Sequence, residues 1–370
     1  MNFKRADVWL KNLTESTEAG AAYCVTSEGK LLHKCCAGTV SSESKRAVSA
    51  TTLFRIYSIT KLFTCTAVFR LIDEGRMSLE DDVSCYLPFF DKVRYFDKDG
   101  NVSTDENKIT IRALLTMTSG IPYNGSDAVP AGQLLNPVIA ELDKRYGKNN
   151  YTALELSREI ADSPAAFKAE ESWIYGYGHD ILGAVIEQIT DMRLSDYLKK
   201  TVFEPLNMTD TGFEIQDKSR LMAQFNLSDK KLTRDTSADE AYGRTFLSGG
   251  GGLISTLADM AKFTAALADN KQPWSSYANR FRIPQLNIRQ LAAFPFKGYS
   301  YSYGARTLLD PAGKNRFASK YEFGWYGVSG SWVAIDTERN ASIVFLQQLK
   351  PNMERKTFEA LRELIWSEWQ

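Results

Sequence analysis

The sequence predicts an α/β (α+β) fold, with one antiparallel sheet flanked by helices and built from both chain ends, and a mainly helical insertion between them. Three observations predict it. At the start, residues from about Phe3 to Leu13 space their apolar side chains like a short amphipathic helix, and the runs Ala21 to Thr26 and Leu31 to Cys36 flank Ser27-Glu28-Gly29-Lys30 as the arms of a hairpin. Near the other end, Gly330 to Asp336 and Ala341 to Leu349 are apolar, β-branched runs around a polar turn at Thr337 to Asn340, and Arg355 to Trp369 has the pattern of a closing helix. Neither end alone can bury its apolar face, so the two are expected to share one core. In the middle, from about residue 80 to 245, helical periodicity dominates: Ile111 to Thr116, Ala153 to Ile160, Asp180 to Ile189 and Leu194 to Phe203, joined by polar loops. The expected division is an α/β domain from residues 1–80 and 245–370 and a mainly helical domain from 81–244.

Composition narrows the function. At 370 residues the chain accommodates one large or two interlocked domains, and 44% hydrophobic content describes a globular protein. Its 45 basic and 45 acidic side chains cancel, without a block of like charges, so neither nucleic acid nor an anionic membrane is an expected partner. The opening MNFKRADVWLKNLTES lacks an apolar stretch of the kind an export signal needs, and no run approaches the roughly 18 apolar residues of a membrane span. A cytoplasmic location is expected. Five cysteines (Cys24, Cys35, Cys36, Cys65, Cys85), odd in number and without C-x-x-C spacing, favour reduced thiols over a disulfide framework or a zinc site. Only His33 and His179 supply imidazole, and each reads more simply as structural than as a base or ligand.

One segment carries chemistry. Phe54-Arg55-Ile56-Tyr57-Ser58-Ile59-Thr60-Lys61 runs into Leu62, Phe63, Cys65, Val68, Phe69, Leu71 and Ile72 and stops at Asp73-Glu74-Gly75. That is a strand, then an apolar helix closed by glycine. Ser58 and Lys61 form an S-x-x-K pair on one face at the helix start, where the helix dipole favours an anion and burial pushes the lysine toward its basic, neutral form. The same spacing occurs at Ser27, Ser42 and Ser228, but in hydrophilic, turn-like surroundings. The plainer alternative for Ser58 is a helix cap beside a snorkelling lysine. With imidazole scarce, a phenol is the other candidate to help take the serine proton. Trp173-Ile174-Tyr175-Gly176-Tyr177-Gly178-His179-Asp180 supplies two on a glycine-loosened loop, although packing is the plainer role of Tyr175.

Other motifs fail on inspection. Gly249 to Gly252 is not followed by Gly-Lys-Ser/Thr, so a close backbone approach or a hinge is expected rather than a phosphate loop. Asp97 to Asp105 alternates like a calcium loop, but Val102 stands at the glycine position and Lys108 at the bidentate glutamate position, which leaves a polar hairpin turn. Gly327-Val328-Ser329-Gly330-Ser331 departs from G-x-S-x-G and enters a strand rather than a helix.

Taken together, several blocks resemble the serine β-lactamase and penicillin-binding-protein superfamily, in the branch of class C β-lactamases, D-aminopeptidases and family VIII carboxylesterases. Beside FRIYSITK stand Asp73 to Val83 with Tyr86-Leu87-Pro88, Ile109 to Ile121, Pro205-Leu206-Asn207-Met208 with Thr211-Gly212-Phe213, and Gly250 to Thr256 with Asp259-Met260. The resemblance covers about residues 50 to 350. It implies a β-lactamase-like fold, Ser58 as nucleophile, Lys61 as base, and Tyr175 as the tyrosine of the second box, anchored by Asp180-x-Leu182-Gly183. A literal Y-x-N at Tyr277-Ala278-Asn279 follows the glycine run and is out of order. The third box is Trp325-Tyr326-Gly327, similar to the W-x-G of family VIII esterases, and the backbone N–H groups of Ser58 and Val328 are implied as the oxyanion hole.

Two departures shape the expected substrate. Tyr177 replaces the asparagine that helps β-lactamases hold a substrate amide, and Trp325 replaces the cation that pairs a substrate carboxylate. Both point away from β-lactam or peptide substrates. The implied activity is a serine hydrolase working through an acyl-enzyme in a cleft between the two domains, first of all a carboxylesterase on small or medium acyl esters, with Trp325, Tyr326, Gly327 and Tyr177 lining the substrate pocket. An amidase, D-aminopeptidase, acyltransferase, weak β-lactamase or non-catalytic scaffold are the alternatives. The expected partner is a small-molecule ester or amide, and no metal or organic cofactor is implied.

Overall fold

Helix α1 (Lys4–Thr17) turns Ala6, Leu10, Thr14 and Thr17 inward and leads into a hairpin of β1 (Ala21–Ser27) and β2 (Lys30–Ala37). Glu28 and Gly29 both take positive φ, +50° and +75°, as a two-residue primed turn requires. A short strand β3 (Leu53–Arg55) precedes α2 (Thr60–Asp73). The middle of the chain holds a small hairpin, β4 (Tyr95–Phe96) with β5 (Val102–Ser103), and helices α3 (Ile111–Leu115), α4 (Pro130–Tyr146), α5 (Ala153–Ala161), α6 (Gly178–Thr190) and α7 (Leu194–Leu198). A second hairpin, β6 (Phe225–Ser228) and β7 (Lys231–Arg234), precedes β8 (Ile254–Thr256), which pairs antiparallel with β3. Then come α8 (Leu257–Ala268), α9 (Trp274–Arg282), α10 (Ile288–Ala293), β9 (Tyr299–Tyr301), β10 (Arg306–Leu308), α11 (Pro311–Lys314), β11 (Phe323–Gly324), β12 (Gly330–Asp336), β13 (Ala341–Lys350) and α12 (Glu354–Ser367). This computed structural model describes residues 1–41, 43–126, 129–215, 217–229, 231–241, 245–269, 271–314 and 317–369.

The large sheet runs β2-β1-β13-β12-β11-β10-β9, antiparallel at each step. Its centre joins the two chain ends, with Tyr23 opposite Phe345 and Cys24 opposite Val344. Period-two alternation then splits the strands between two cores. Tyr23, Val25, Ile343 and Phe345 meet α1 and α12 through Leu10, Phe358, Leu361 and Ile365. Ala22, Cys24, Val344 and Leu346 face the other way, toward the layer that holds Phe63 of α2 and Phe263 and Leu267 of α8. Each large side chain so buried contributes about 1.5–3 kcal/mol. Among the described residues, no helix is long and apolar enough to cross a membrane.

The structure adds elements that periodicity did not predict. Helix α4 runs through Pro137, an interior residue that ordinarily ends a helix. Strands β9, β10 and β11 are two or three residues long, too short to display alternation. β6 extends the sheet in parallel, Phe225 opposite Leu349, which departs from the otherwise antiparallel pattern. The stretch Leu194 to Phe203 divides into α7 and a following π-helical turn at Lys199–Phe203.

Candidate active site

The site is assembled at the start of α2. Chain leaving β3 makes a 3₁₀ turn at Tyr57–Ile59 before the α-helix begins at Thr60, with Ile59 and not Ser58 at the cap position. Tyr57 takes φ +45°, a conformation that costs an aromatic residue energy and lifts Ser58 onto the turn. Eleven of the 14 residues of α2 are buried, Lys61 completely. Its amine therefore cannot reach water, and every donor must find a partner inside.

Those partners define the centre. Lys61 Nζ donates to the Gly250 carbonyl at 2.6 Å, lies 3.2 Å from the Tyr123 hydroxyl and 3.3 Å from Ser58 Oγ, and stands 4.6 Å above the Tyr175 ring. Burial pushes its pKa down to about 8, against the opposing pull of Asp180. The Tyr175 hydroxyl accepts from Trp325 Nε1 at 2.9 Å. Burial raises the Tyr175 phenol, and its hydrogen bonds with Ser58 and Trp325 work in the other direction.

Asp180 is the second organising charge. Its Oδ1 accepts from the Ser248 hydroxyl and from the Gly250 N–H at 3.1 Å, and its Oδ2 accepts from Tyr123 at 3.4 Å. Burial raises its pKa, while Lys61 and these donors hold it down. The glycines explain themselves in this setting. A Cβ on Gly250 would fall 2.5 Å from Asp180 Oδ2 and 2.7 Å from the Tyr123 hydroxyl, and one on Gly249 would fall 2.3 Å from the His179 carbonyl. Between the two tyrosines of the second box, Gly176 lets the Ile121–Pro122 backbone pass, because a Cβ there would meet the Ile121 carbonyl at 2.0 Å. That passage delivers Tyr123 to Lys61.

The third box closes the other side. Gly327 lies so near the turn that carries Ser58 that a Cβ would stand 2.8 Å from the Ile56 carbonyl and 3.3 Å from Tyr57 Cβ. Val328 follows, half-exposed, at the turn into β12. Among the described residues, neither the Ser58 nor the Val328 N–H donates to a backbone acceptor. Trp325 and Tyr326 pack at a tilt against each other and edge-on against Phe296, giving one side of the site an aromatic wall.

The other residues weighed in the sequence take mostly structural places. Tyr177 stands at the N-cap position of α6, is buried, packs edge-on against Tyr123 and bonds to Asn124, beside the Tyr123 that reaches Lys61. His179 stands in the first turn of α6, not on a loop. Its Nε2 lies 3.2 Å from Cys65 Sγ, and burial together with Lys61 holds it neutral. His33 pairs with Asp7 between β2 and α1. Tyr277 is buried on α9 against Phe69 and Trp274 and makes no contact with Ser58 or Lys61 among the described residues. Ser27 ends β1 and Ser228 ends β6, while Ser42 lies outside the described residues. One residue of the centre, Tyr123, escaped the sequence analysis, and Asp180 stood there as an anchor with no role given to its carboxylate. Tyr123 follows Ser119-Gly120-Ile121-Pro122 with no local mark of its role, whereas an acid inside the apolar start of α6 was a usable signal.

Comparison with known proteins bears on the family and the fold. Esterase EstB of Burkholderia gladioli is 26% identical over 376 residues, covering 96% of this chain and 92% of its own. In three dimensions the chain is similar to EstCE1, described as a hydrolase with promiscuous acyltransferase activity, at TM-score 0.84 and 19% identity over 98% of both chains. It is also similar to the simvastatin synthase LovD of Aspergillus terreus, at TM-score 0.82 and 22% identity over 100% of this chain and 98% of that one. The family described as Beta-lactamase matches residues 9–365, almost the whole length, and with the Ser58–Lys61 pair in its buried setting the chain belongs to the beta-lactamase family.

Proposed function

We propose that the protein is a serine esterase that works through an acyl-enzyme on Ser58. The observation that carries this is the contact of a fully buried, pKa-lowered Lys61 amine with Ser58 Oγ at 3.3 Å, with two phenols beside it. In its neutral form the amine has a lone pair to receive the Ser58 proton, while Gly250 keeps it in place. Oγ adds to the ester carbonyl, and the oxyanion is received by the backbone N–H groups of Ser58 and Val328, each worth about 3–4 kcal/mol. Tyr175, bonded to Ser58 on one side and Trp325 on the other, passes the proton to the departing alcohol as the carbon–oxygen bond breaks. Water then enters, gives up a proton by the same route, and releases the acid with Ser58 restored. Tyr123 supports the lysine through its hydroxyl.

Several features favour an uncharged ester. Trp325 replaces a cation in the third box, and the wall of Trp325, Tyr326 and Phe296 is aromatic. EstB is named an esterase, as is a lovastatin esterase of Penicillium rubens, 28% identical over 63% of this chain and 56% of its own. Transfer of the acyl group to an alcohol is the second reading, favoured by the transferase activities named for EstCE1 and LovD. Both readings share Ser58, Lys61 and Tyr175. We also read residues 81–244 as a unit facing the sheet-based part, with the site in the cleft: Tyr123, Tyr175 and Asp180 come from the former, and Ser58, Lys61 and Trp325 from the latter. A cytoplasmic setting is supported by five cysteines that are all free thiols.

The test is turnover of p-nitrophenyl butyrate, D-alanyl anilide and nitrocefin side by side, with a fluorophosphonate probe located by mass spectrometry. Ester cleavage and a label on Ser58, both lost in Ser58→Ala, are expected. Turnover of the anilide with the ester untouched overturns the esterase reading, and an unlabelled Ser58 overturns the nucleophile.

A further inference from the structure

The oxyanion hole proposed above has two halves from distant parts of the chain, and one buried amide touches the residue next to each. Gln224, just before β6, is wholly inaccessible to solvent. Its Oε1 accepts from the Tyr57 hydroxyl at 3.2 Å and from Ser329 Oγ at 2.7 Å, while its Nε2 donates to the Phe225 carbonyl at 3.1 Å. Tyr57 immediately precedes Ser58, and Ser329 immediately follows Val328. One oxygen therefore ties together the neighbours of both proposed donors.

We propose that Gln224 is a positioning residue that sets the separation of the Ser58 and Val328 N–H groups by clamping Tyr57 and Ser329 to a single acceptor. The inference rests on the acyl-enzyme reading and adds a determinant of its rate. Two further observations support a clamp. Tyr57 is held at φ +45°, and such a backbone persists in an aromatic residue only where surrounding contacts fix it. Its hydroxyl is the far end of the lever that fixes it. The other half is anchored independently, since the Ser329 carbonyl accepts from the Leu349 N–H at 3.0 Å and the Gly327 carbonyl from the Gly330 N–H at 3.0 Å. A turn so braced can serve as the reference against which the strained turn is set. The Nε2 bond to Phe225 leaves Oε1 facing the two hydroxyls, so a flipped amide would present hydrogens to donors.

The geometry makes a distinctive kinetic demand. Displacing a donor by a fraction of an ångström weakens stabilisation of the tetrahedral oxyanion far more than binding of the flat ester. Gln224→Met keeps the volume and removes the acceptor. It should lower kcat and the fluorophosphonate labelling rate about 10- to 100-fold, with KM for p-nitrophenyl butyrate within about threefold. Tyr57→Phe and Ser329→Ala each delete one hydroxyl and keep the test available if Gln224→Met does not fold; each should lose part of the same factor. Because the two hydroxyls share one acceptor, adding Ser329→Ala to Gln224→Met should cost nothing further. Wild-type protein labelled on Ser58, with all these variants labelled at the wild-type rate, overturns the clamp alone. So does a raised KM with kcat unchanged, or fully additive losses. A wild-type protein unlabelled on Ser58 overturns the acyl-enzyme reading, and the clamp falls with it.

Discussion

A charged Lys61 amine has three protons, and around it stand three oxygens: the Gly250 carbonyl, the Tyr123 hydroxyl and Ser58 Oγ. Loss of one proton leaves the Gly250 bond intact and frees a lone pair for the serine. Because burial brings the lysine down to about 8, its neutral fraction grows through the mildly alkaline range. Ester acylation should accordingly rise with pH and level off above about 8, instead of climbing toward the ordinary lysine value. A stopped-flow pH–rate profile checks this, and Lys61→Arg, whose side chain stays charged, should abolish the alkaline limb together with the activity. The phenols divide by the same geometry. Tyr175→Phe and Tyr123→Phe each remove a hydroxyl from the ring of groups around Ser58 and Lys61, and should lower kcat about tenfold or more. Tyr277→Phe, packed far along α9, should leave kcat unchanged.

At the scale of elements, the turn residues do what the helices cannot. Gly250→Ala would drive a methyl into Asp180 and Tyr123, and should cost about 1–3 kcal/mol of stability as well as most of the activity. Gly75 takes φ +69° after α2, and a methyl there would have nothing within 4 Å, so Gly75→Ala should cost about 1 kcal/mol from backbone strain alone and leave kcat intact. Urea unfolding with kinetics on both variants separates the two effects. The same contrast explains what the sequence displayed. Long elements with a clear period were legible: α1, the first hairpin, α5, α6, β12, β13 and α12 all lie close to where spacing and turn residues put them. Ser58, Lys61, Tyr175 and the W-x-G segment were legible because each stands in a local pattern. Tyr123 was not, since only the passage of Ile121 and Pro122 beside Gly176 brings it in, and that is a fact of tertiary approach. Asp180 was read as part of an anchor, and the three donors that converge on it come from two other loops. α4 was hidden by Pro137, and β9 to β11 by their brevity.

The whole molecule is tied together at the back of its sheet by buried charge. Arg362 of α12 pairs with Glu322, which also accepts from Trp366 Nε1 at 2.7 Å, and Arg306 of β10 pairs with Glu354 at the start of α12. Burial raises the Glu322 carboxyl, and Arg362 restrains it. Arg362→Met removes one partner from a fully buried pair and should destabilise the fold by about 3–5 kcal/mol. The double variant with Glu322→Gln should regain part of that loss, because no lone charge is left inside. Denaturant midpoints for the wild type, the single and the double variant decide it.

The meeting of β1 with β13 also orders events during synthesis. Ser58 and Lys61 leave the ribosome well before Val328, β12 and β13. Until then β1 has no central neighbour, the turn before Ser58 has no Ser329 opposite it, and half of the proposed anion-binding pair does not exist. A nascent chain thus carries its proposed nucleophile for some time without the means to use it, and esterase activity should appear only once β12 and β13 have been made.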